Sequence, residues 1–240
     1  MPDAPLSRRL LAEFLGSAFL TATVIGSGIA ASTLSPGDTG LQLFENAAAT
    51  AAGLFTFILI FGPVSGAHFN PVVSLVDATF GGLRRRYLLA YVPAQVGGCI
   101  AGAVLANAMF SLSAISISTH HRASPAHLLA EAVATVGLLL VIFSLARTHR
   151  GERAPAAVGA YIGAAYFFTS STSFANPAID VGRMFSDTLA GIAPASVPAF
   201  VVAQLVGAGL AIGLIRTLYP DLTPEEAKDA VLPHAEPAIS

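Results

Sequence analysis

The chain of 240 residues is 54% hydrophobic and only 11% charged, and its mean hydropathy is +0.70. Because soluble domains carry about 25% charged residues, these values exclude an ordinary soluble domain and predict a protein that lies mostly in lipid. The formal net charge of −2 argues against nucleic acid as a partner, and the single cysteine, Cys99, excludes a disulfide within the chain.

Six apolar stretches are long enough to cross a bilayer, since a transmembrane helix needs about 20 residues. In chain order they cover residues 9–31, 44–62, 87–111, 127–146, 154–172 and 196–218. Two further apolar pieces, near 69–80 and 176–190, are too short to span, and each opens on Asn-Pro. The polar residues 220–240 predict a tail with a short amphipathic piece near 223–226. The pattern predicts an all-α membrane protein.

Arginine and lysine residues cluster on one side of this arrangement. They are Arg8 and Arg9 before the first span, Arg84, Arg85, Arg86, Arg147, Arg150 and Arg153 in two loops, and Arg216 and Lys228 at the end. The opposite loops carry only Arg122 and Arg183. By the positive-inside rule both termini are cytoplasmic. We therefore expect a multi-pass protein of the inner (cytoplasmic) membrane, with the lipid bilayer as its surroundings.

Three short features occur twice in the same order: an intramembrane glutamate, an Asn-Pro motif and an Ala-Gln-x-x-Gly motif. They are Glu13, Asn70-Pro71-Val72 and residues 94–98 in the first half, and Glu131, Asn176-Pro177-Ala178 and residues 203–207 in the second. Residues 1–120 and 121–219 then form two repeats, each with three spans and one short piece. Because three is odd, the second repeat must be inverted in the membrane. Inverted repeats place a solute path at their interface.

The Asn-Pro motif explains how a short apolar piece can lie inside the membrane. Asparagine is a strong helix N-cap and proline is favoured at the first helical position, so each piece is predicted to be a half-helix. Its first backbone N–H groups lack helical partners, which the membrane interior tolerates only where the backbone is buried in protein or faces water. Two half-helices from opposite sides would point their positive ends at one centre, which repels cations and suits neutral solutes.

The segments SGAHFNPVVS and FANPAIDVGRMF, with AEF and AEA near the starts of the two halves, resemble the aquaporin and aquaglyceroporin family of major intrinsic proteins. The resemblance covers about residues 8–218. It implies a bundle of six helices with two re-entrant half-helices, a pore in each protomer and a homotetramer. The pore motifs would be Asn70-Pro71-Val72 and Asn176-Pro177-Ala178, in which Val72 replaces the alanine that is usual in the first motif.

Carried over by spacing from the two asparagines, the family's selectivity filter falls on Thr50, Ala164, Ser173 and Ile179. In the family the first position is usually aromatic and the last is usually arginine, and neither holds here. The four residues are small or apolar and uncharged. The resemblance therefore implies a wider opening that passes larger neutral solutes than the filter of water-selective members, which pairs a bulky aromatic residue with His and Arg.

Arg183 lies four residues after Ile179, one helical turn further along the same face. One interpretation is that the cationic group of the filter has moved outward into the vestibule. The other is that Arg183 pairs with Asp180 or Asp187, which also lie at helical spacing. The two arrangements can coexist.

The segment from 182 to 200 and the hydrophobic residue at the arginine position are similar to a bacterial subset of the family that is found beside arsenic-resistance genes. Arsenous acid is uncharged at neutral pH and resembles a small polyol. Methylated arsenicals carry methyl groups, which Ile179 and Ala164 would tolerate. The resemblance therefore implies a channel that conducts arsenite, methylated arsenicals and glycerol-like solutes, with the conduction of water left open.

Three functions remain open at this point. The first is a passive channel for small neutral solutes, for which a water-dominated aquaporin is the nearest alternative. The second is a proton-coupled transporter, since Glu13 and Glu131 are ionisable groups inside spans. The family resemblance implies instead that Glu13 and Glu131 are buried structural carboxylates. The third is a closed structural tetramer whose pore Phe69 or Phe174 fills. An enzyme is not predicted, because no nucleophile–base set, metal-ligand spacing or phosphate-binding loop is present.

Histidines and the cysteine leave further alternatives open. His68 precedes the first motif, and it fits either a lining or gating residue at the cytoplasmic mouth or a brace for the loop. His120, His121 and His127 fit a metal site or a solvated outer loop. Cys99 fits a small packing residue or, if it faces the pore, a ligand for trivalent arsenic or mercury. We expect neither a resident metal nor a cofactor.

Overall fold

The computed structural model describes residues 4–220, so the tail piece predicted near 223–226 lies outside the described residues. Within residues 4–220 the chain forms eight α-helices and no β-strand. They are α1 (Leu6–Leu34), α2 (Thr39–Ser65), α3 (Pro71–Phe80), α4 (Arg85–Met109), α5 (Pro125–Arg147), α6 (Ala154–Phe168), α7 (Pro177–Arg183) and α8 (Val197–Leu218). The prediction of an all-α fold is confirmed.

Five of these helices, α1, α2, α4, α5 and α8, are long and apolar enough to cross a membrane. The sixth predicted span, 154–172, is helical only over the 15 residues Ala154–Phe168. A helix of that length measures about 22 Å, against a hydrocarbon core of roughly 30 Å. The prediction is wrong for residues 169–172, because Thr169 is extended and Thr172 has a positive φ of 63°, neither of which continues an α-helix.

The two short apolar pieces form helices that begin at the Asn-Pro motifs. α3 has ten residues and ends at Phe80, as predicted, whereas α7 has seven and ends at Arg183. The prediction of helix up to residue 190 is wrong. The backbone carbonyls of Met184 and Phe185 instead accept hydrogen bonds from backbone N–H groups of the loop between α4 and α5. This pairing with a neighbouring loop replaces further helical turns.

α1 packs against α4, and α5 packs against α8, at short distances. An ideal Cβ atom on Gly98 would lie 2.2 Å from the backbone oxygen of Phe14, and one on Gly102 would lie 2.2 Å from that of Ala18. On α8, a Cβ atom on Gly207 would lie 2.6 Å from a backbone oxygen of α5. Small residues at helix contacts are typical of membrane bundles, because they let the backbones approach closely.

The half-helices α3 and α7 lie inside the bundle formed by the longer helices. α3 contacts α4 and α8, α7 contacts α1, α4 and α8, and the two half-helices also contact each other. Val72 and Ala178, in the first turn of each, are buried. The two helix starts therefore meet in the interior of the protein.

Candidate functional site

Asn70 and Asn176 cap the two half-helices with their side chains. The Oδ1 atom of Asn70 accepts a hydrogen bond from the N–H of Val72 at 3.0 Å. The Oδ1 atom of Asn176 accepts one from the N–H of Ala178 at 3.0 Å and a longer one from Ile179 at 3.3 Å. These bonds satisfy N–H groups that a helix start leaves without partners, which is the capping that the Asn-Pro motif predicts.

Each asparagine also donates a hydrogen bond to the loop that carries the other. Asn70 Nδ2 lies 2.7 Å from the backbone oxygen of Ala175, and Asn176 Nδ2 lies 2.8 Å from that of Phe69. A side-chain amide has two hydrogens, so each asparagine keeps a second one. Because both asparagines line the central cavity, these second hydrogens can be donated to an oxygen atom inside it.

The loops before the two asparagines share an unusual backbone conformation. Ala67 and Phe69, three residues and one residue before Asn70, have φ angles of 47° and 51°. Ser173 and Ala175 hold the same places before the second asparagine, with φ angles of 53° and 46°. Residues other than glycine rarely adopt positive φ, and they keep it only where surrounding contacts fix it.

Glu13 supplies those contacts to the first loop. Its Oε1 atom accepts hydrogen bonds from the Ser65 hydroxyl at 2.7 Å and the His68 N–H at 3.0 Å. Its Oε2 atom accepts bonds from the Phe69 N–H and the Gln95 side-chain amide, both at 2.8 Å. The side chain is fully buried and is not part of the cavity lining.

Glu131 holds the second loop in a similar way. Its Oε1 atom accepts a bond from the Phe174 N–H at 2.9 Å, and its Oε2 atom accepts bonds from the Ala175 N–H at 2.8 Å and the Gln204 amide at 2.7 Å. It too is fully buried and away from the cavity lining. Both carboxylates are therefore engaged by loop backbone, which is the arrangement that the structural interpretation of Glu13 and Glu131 requires.

One cavity, which is partly open to solvent, contains both asparagines. Its apolar lining consists of Leu20, Val24, Leu54, Ile58, Ala67, Phe69, Val73, Leu138, Ile142, Val158, Ile162, Phe174 and Ile179. Its polar lining consists of Thr50, His68, Asn70, Tyr166, Ser173, Asn176 and Arg183. A molecule inside is thus surrounded by apolar side chains and meets hydrogen-bonding groups at only a few points.

Three of the four predicted filter positions, Thr50, Ser173 and Ile179, line this cavity. The fourth, Ala164, does not: its side chain is exposed on the surface of α6. The assignment of Ala164 to the filter is therefore wrong. The physical reason is that residue 164 does not lie on the face of α6 that lines the cavity.

α6 presents Tyr166 to the cavity instead. Val158, Ile162 and Tyr166 all line it at steps of four residues, which is the spacing of one helix face. Residue 164 follows Ile162 by two positions and so lies on nearly the opposite side. The Tyr166 hydroxyl lies 3.1 Å from Thr50 Oγ1. Tyr166 does not lie at the position that spacing from Asn176 predicts, but the four-residue spacing of Val158, Ile162 and Tyr166 indicates that it shares their face of the helix.

Arg183 lines the cavity, and within the described residues it forms no ion pair with Asp180 or Asp187. Its Nε–H donates to the backbone oxygen of Ala190, and its Cζ atom lies 3.5 Å from the centroid of the Phe174 ring. A loop carbonyl and a cation–π contact therefore hold the guanidinium. The pairing interpretation would require an ion pair at contact distance, which neither aspartate forms with Arg183, whereas a position beside the cavity is what the vestibule interpretation requires.

The two aspartates have other partners, which explains why they do not pair with Arg183. Asp180 Oδ1 accepts a bond from the Gln204 amide at 3.3 Å. Asp187 Oδ1 accepts a bond from the Thr119 N–H at 2.8 Å and lies 3.8 Å from His120 Nε2. Asp187 is outside the membrane-spanning helices, and the Thr119 N–H above all lowers the pKa of its carboxyl group.

His68 lines the cavity and is also braced on α3. Its Nδ1 atom lies 3.0 Å from Ser74 Oγ, and its Nε2 atom lies 3.4 Å from Asp77 Oδ2. Both ring nitrogens are thus engaged by the half-helix. A place in the cavity lining and contacts to α3 are what the lining and bracing interpretations of His68 require, and gating by protonation stays a prediction.

His120, His121, His127 and Cys99 are not part of the cavity lining. His127 Nδ1 is 2.6 Å from the backbone oxygen of Arg122, in the loop itself. Within residues 4–220 no group of three His, Cys, Asp or Glu side chains is placed to hold a metal ion. Cys99 is fully buried against Gly182 and is not part of the cavity lining, as the packing interpretation of this residue requires.

Phe69 and Phe174 line the cavity without filling it. The Phe69 ring packs edge-on against Phe61, with ring centroids 6.0 Å apart. The Phe174 ring packs edge-on against Phe200, with centroids 5.3 Å apart. Because neighbouring aromatic rings hold both side chains, the cavity persists beside them. This arrangement does not favour the closed structural tetramer.

The sequence comparison decides the family. Residues 2–186 match the sequence profile of the family described as Major intrinsic protein. The chain belongs to the major intrinsic protein family. It is therefore a multi-pass integral membrane protein and not an enzyme, which confirms both predictions.

Individual relatives of this major intrinsic protein cover nearly its whole length. The chain is 49% identical over 224 residues to aquaglyceroporin AqpS of Rhizobium meliloti (strain 1021), covering 93% of this chain and 95% of the relative. It is 32% identical over 276 residues to the glycerol uptake facilitator protein of Pseudomonas aeruginosa, covering 98% and 96%. The X-ray structure of the aquaglyceroporin from Plasmodium falciparum has the same fold, with a TM-score of 0.73, 20% identity, and coverage of 90% and 98%.

Proposed function

We propose that this major intrinsic protein is a passive transmembrane channel for small neutral solutes, with a wide filter that lacks the usual arginine. It conducts arsenous acid, methylated arsenicals, glycerol-like solutes and water down their gradients. Membership of the family and similarity to an aquaglyceroporin and a glycerol uptake facilitator support the general function. The choice of solutes rests on the lining of the cavity.

The observation that carries the proposal is the side chain of Ile179 in the cavity. Ile179, Thr50 and Ser173 all line it, and none of the three is charged. An apolar wall can accept the methyl group of an arsenical, whereas a guanidinium at the same place would lose hydration when an apolar group displaced its water. The hydroxyl groups of the solute can bond to Thr50 and to the free amide hydrogens of Asn70 and Asn176.

The alternative of proton coupling has no comparable support. Glu13 accepts four hydrogen bonds and Glu131 accepts three, and neither side chain lines the cavity. A carboxylate that took up a proton during each transport cycle would have to release loop amides on which the half-helices depend. We therefore expect flux that is linear in the gradient and insensitive to a protonophore.

The central test is the variant Ile179→Arg in proteoliposomes. A guanidinium beside Thr50 and Ser173 narrows the cavity and adds a charged donor. We therefore expect the flux of glycerol, arsenous acid and a methylated arsenical to fall at least about tenfold. A tenfold decrease corresponds to a barrier increase of roughly 1.4 kcal/mol. Water flux should persist. Stopped-flow light scattering measures glycerol and water, and elemental analysis of the washed vesicles measures arsenic.

The matched control is Ile179→Leu, which changes the shape of the side chain and keeps it apolar and uncharged. We expect this variant to retain most of the wild-type flux for all solutes. A wild-type protein that passes only water would contradict the proposed solute class, and equal fluxes in wild type and Ile179→Arg would contradict the role of residue 179.

The assembly in the membrane is a further part of the proposal. Residues 1–120 and 121–219 form two inverted repeats, both termini face the cytoplasm, and four copies associate in the inner membrane. The arginine clusters support the orientation, and large apolar side chains exposed on the long helices, such as Leu34 and Leu89, fit a surface covered by lipid or by other copies. Native mass spectrometry should detect a tetramer; a monomer that retains flux would contradict this assembly.

A further inference from the structure

Five arginine side chains gather where α1 and α4 begin, and we call them the arginine cluster: Arg8, Arg9, Arg84, Arg85 and Arg86. The first two lie in the first turn of α1, and the other three lie at the start of α4. The two helix starts are neighbours, because Arg9 Nε donates a hydrogen bond to the Tyr91 hydroxyl group of α4 at 2.7 Å. That hydroxyl group donates to the backbone oxygen of Ser65 at 2.9 Å, which orients it as an acceptor for Arg9. The cluster is therefore built across two helices rather than along one loop.

The ring of Tyr87 lies among three members of the arginine cluster. The guanidinium carbon of Arg9 lies 5.8 Å from the ring centroid, that of Arg84 lies 5.8 Å from it and that of Arg86 lies 5.2 Å from it. These are distances of cation–π contacts. Because all three carbons surround one point, no two of them are further apart than twice the longest of these distances. Three cations from two helices therefore share one small patch of the protein surface.

The positive charge of the arginine cluster is not compensated by a carboxylate. All members except Arg9 are exposed. Within residues 4–220 no member forms an ion pair with a carboxylate group. The chain also has no aspartate or glutamate in residues 4–12 or 78–109, the segments that contain the cluster. Like charges at short distance repel each other, and a bound anion offsets this repulsion. The patch therefore favours a negatively charged partner.

The second basic loop, between α5 and α6, is arranged differently. Arg153 Nε lies 3.5 Å from Oε1 of the neighbouring Glu152, and Arg150 Nε donates to the Thr148 hydroxyl group at 3.0 Å. These two arginines thus have partners inside their own loop. The positive-inside rule accounts for arginine residues in both places. It does not account for three uncompensated guanidinium groups around one aromatic ring.

Apolar side chains lie one helical turn beyond the arginine cluster. Leu89 follows Arg86 by three residues and is 81% exposed, and Leu11 follows Arg8 by three residues and is 57% exposed. Residues three positions apart lie on the same face of a helix. Each helix therefore presents a cation at its end and an exposed apolar side chain next to it. A partner that matches both parts carries an anionic group joined to hydrocarbon chains.

We propose that the arginine cluster binds the phosphate group of an anionic phospholipid of the surrounding bilayer, whose acyl chains lie along Leu11 and Leu89. The guanidinium groups of Arg84 and Arg86 donate charge-assisted hydrogen bonds to the phosphate oxygens, a pairing for which the planar shape of arginine is suited. The proposed orientation places this site at the cytoplasmic leaflet, where arginine residues next to a transmembrane helix attract anionic lipids. The inference concerns a partner in the membrane and goes beyond the transported solutes.

The test uses the purified full-length protein in detergent and two lipids with identical chains. Dioleoylphosphatidylglycerol is anionic, and dioleoylphosphatidylcholine has no net charge. Native mass spectrometry measures the affinity for each lipid, and thermal unfolding measures the stabilisation. We expect the wild type to prefer the anionic lipid and to lose this preference as the salt concentration rises. In Arg84→Gln/Arg86→Gln the affinity for the anionic lipid should fall roughly 25-fold, since each arginine beside an anionic lipid contributes a factor of about five.

The matched control is Arg150→Gln/Arg153→Gln, which removes the same formal charge from the loop between α5 and α6. This variant should keep the preference for the anionic lipid. A further variant, Tyr87→Leu, keeps an apolar side chain but removes the ring that the three guanidinium groups contact. It leaves every arginine in place, and we expect the affinity for the anionic lipid to fall about two- to fivefold.

Three results would overturn the proposal. The first is a wild-type protein that binds both lipids equally. The second is an equal loss of affinity in the two double variants, which would show a diffuse attraction to the whole basic surface. The third is stabilisation by inorganic phosphate as strong as that by phosphatidylglycerol, which would assign the cluster to a soluble anion. Because none of these measurements requires solute flux, they test the lipid site independently of the proposed channel.

Discussion

A Glu13→Ala variant should be strongly destabilised. The substitution removes the acceptor of four donors, among them the partly buried backbone N–H of His68 and the buried backbone N–H of Phe69. Each buried donor left without a partner costs about 1–3 kcal/mol. The Phe69 N–H alone therefore removes about 1–3 kcal/mol from a free energy of unfolding that is typically about 5–15 kcal/mol, and the other three donors add to this loss. The positive φ of Ala67 and Phe69 would also lose the contacts that fix it.

The measurement is size-exclusion chromatography in detergent combined with thermal unfolding followed by circular dichroism. The matched control is Glu45→Ala, since Glu45 accepts one bond, from the Ser35 hydroxyl at 2.8 Å, and is only partly buried. We expect Glu45→Ala to elute as the wild type does and to lose about 1 kcal/mol or less. If Glu13→Ala melts like the Glu45→Ala control, the first loop is held by something other than this carboxylate.

Alanine at Gly98 and Gly102 together should separate α1 from α4. Ideal Cβ atoms at these positions would lie 2.2 Å from backbone oxygens of Phe14 and Ala18. Backbone atoms of a packed helix cannot move aside as a flexible side chain can, so the two helices must shift. Overpacking of this kind costs about 1–3 kcal/mol per site, and the paired substitution should lower the melting temperature strongly.

Gly97→Ala is the control on the same helix. A Cβ atom there would lie 3.7 Å from the Phe14 ring, which is an ordinary contact. Alanine is also the better helix former by roughly 1 kcal/mol, so this variant should be neutral or slightly more stable. Equal melting temperatures for Gly97→Ala and the Gly98→Ala/Gly102→Ala pair would show that the close approach of α1 and α4 contributes little to stability.

The parts of the site that were predictable from the sequence depend on local chemistry. Asn70 and Asn176 are strong N-caps followed by proline, and this local pattern is enough to place two helix starts. For Glu13 and Glu131, local chemistry indicates only an ionisable group inside an apolar run that needs a partner, and their structural role was implied by the family resemblance. These features do not depend on the register of distant elements.

The errors arise where irregular backbone intervenes. Ala164 was assigned by counting residues across the loop before Asn176, and the positive φ angles in that loop change how far and in which direction the chain advances. The inward face of α6 then carries Tyr166 instead. Spacing left two places open for Arg183, the vestibule and a pair with a nearby carboxylate, and its contacts are an aromatic ring and a loop carbonyl. Contacts made through tertiary packing cannot be read from spacing along one helix.

The reciprocal bonds of the two asparagines bear on how the protein is assembled during synthesis. They join Asn70 to Ala175 and Asn176 to Phe69, residues that are 105 and 107 positions apart in the chain. While the ribosome is still producing the second half, these groups of the first half have no native partners, and the bilayer interior penalises unpaired polar groups. We therefore expect α3 to reach its final depth only when α7 arrives, so that the two half-helices enter the bundle together as its last step of folding.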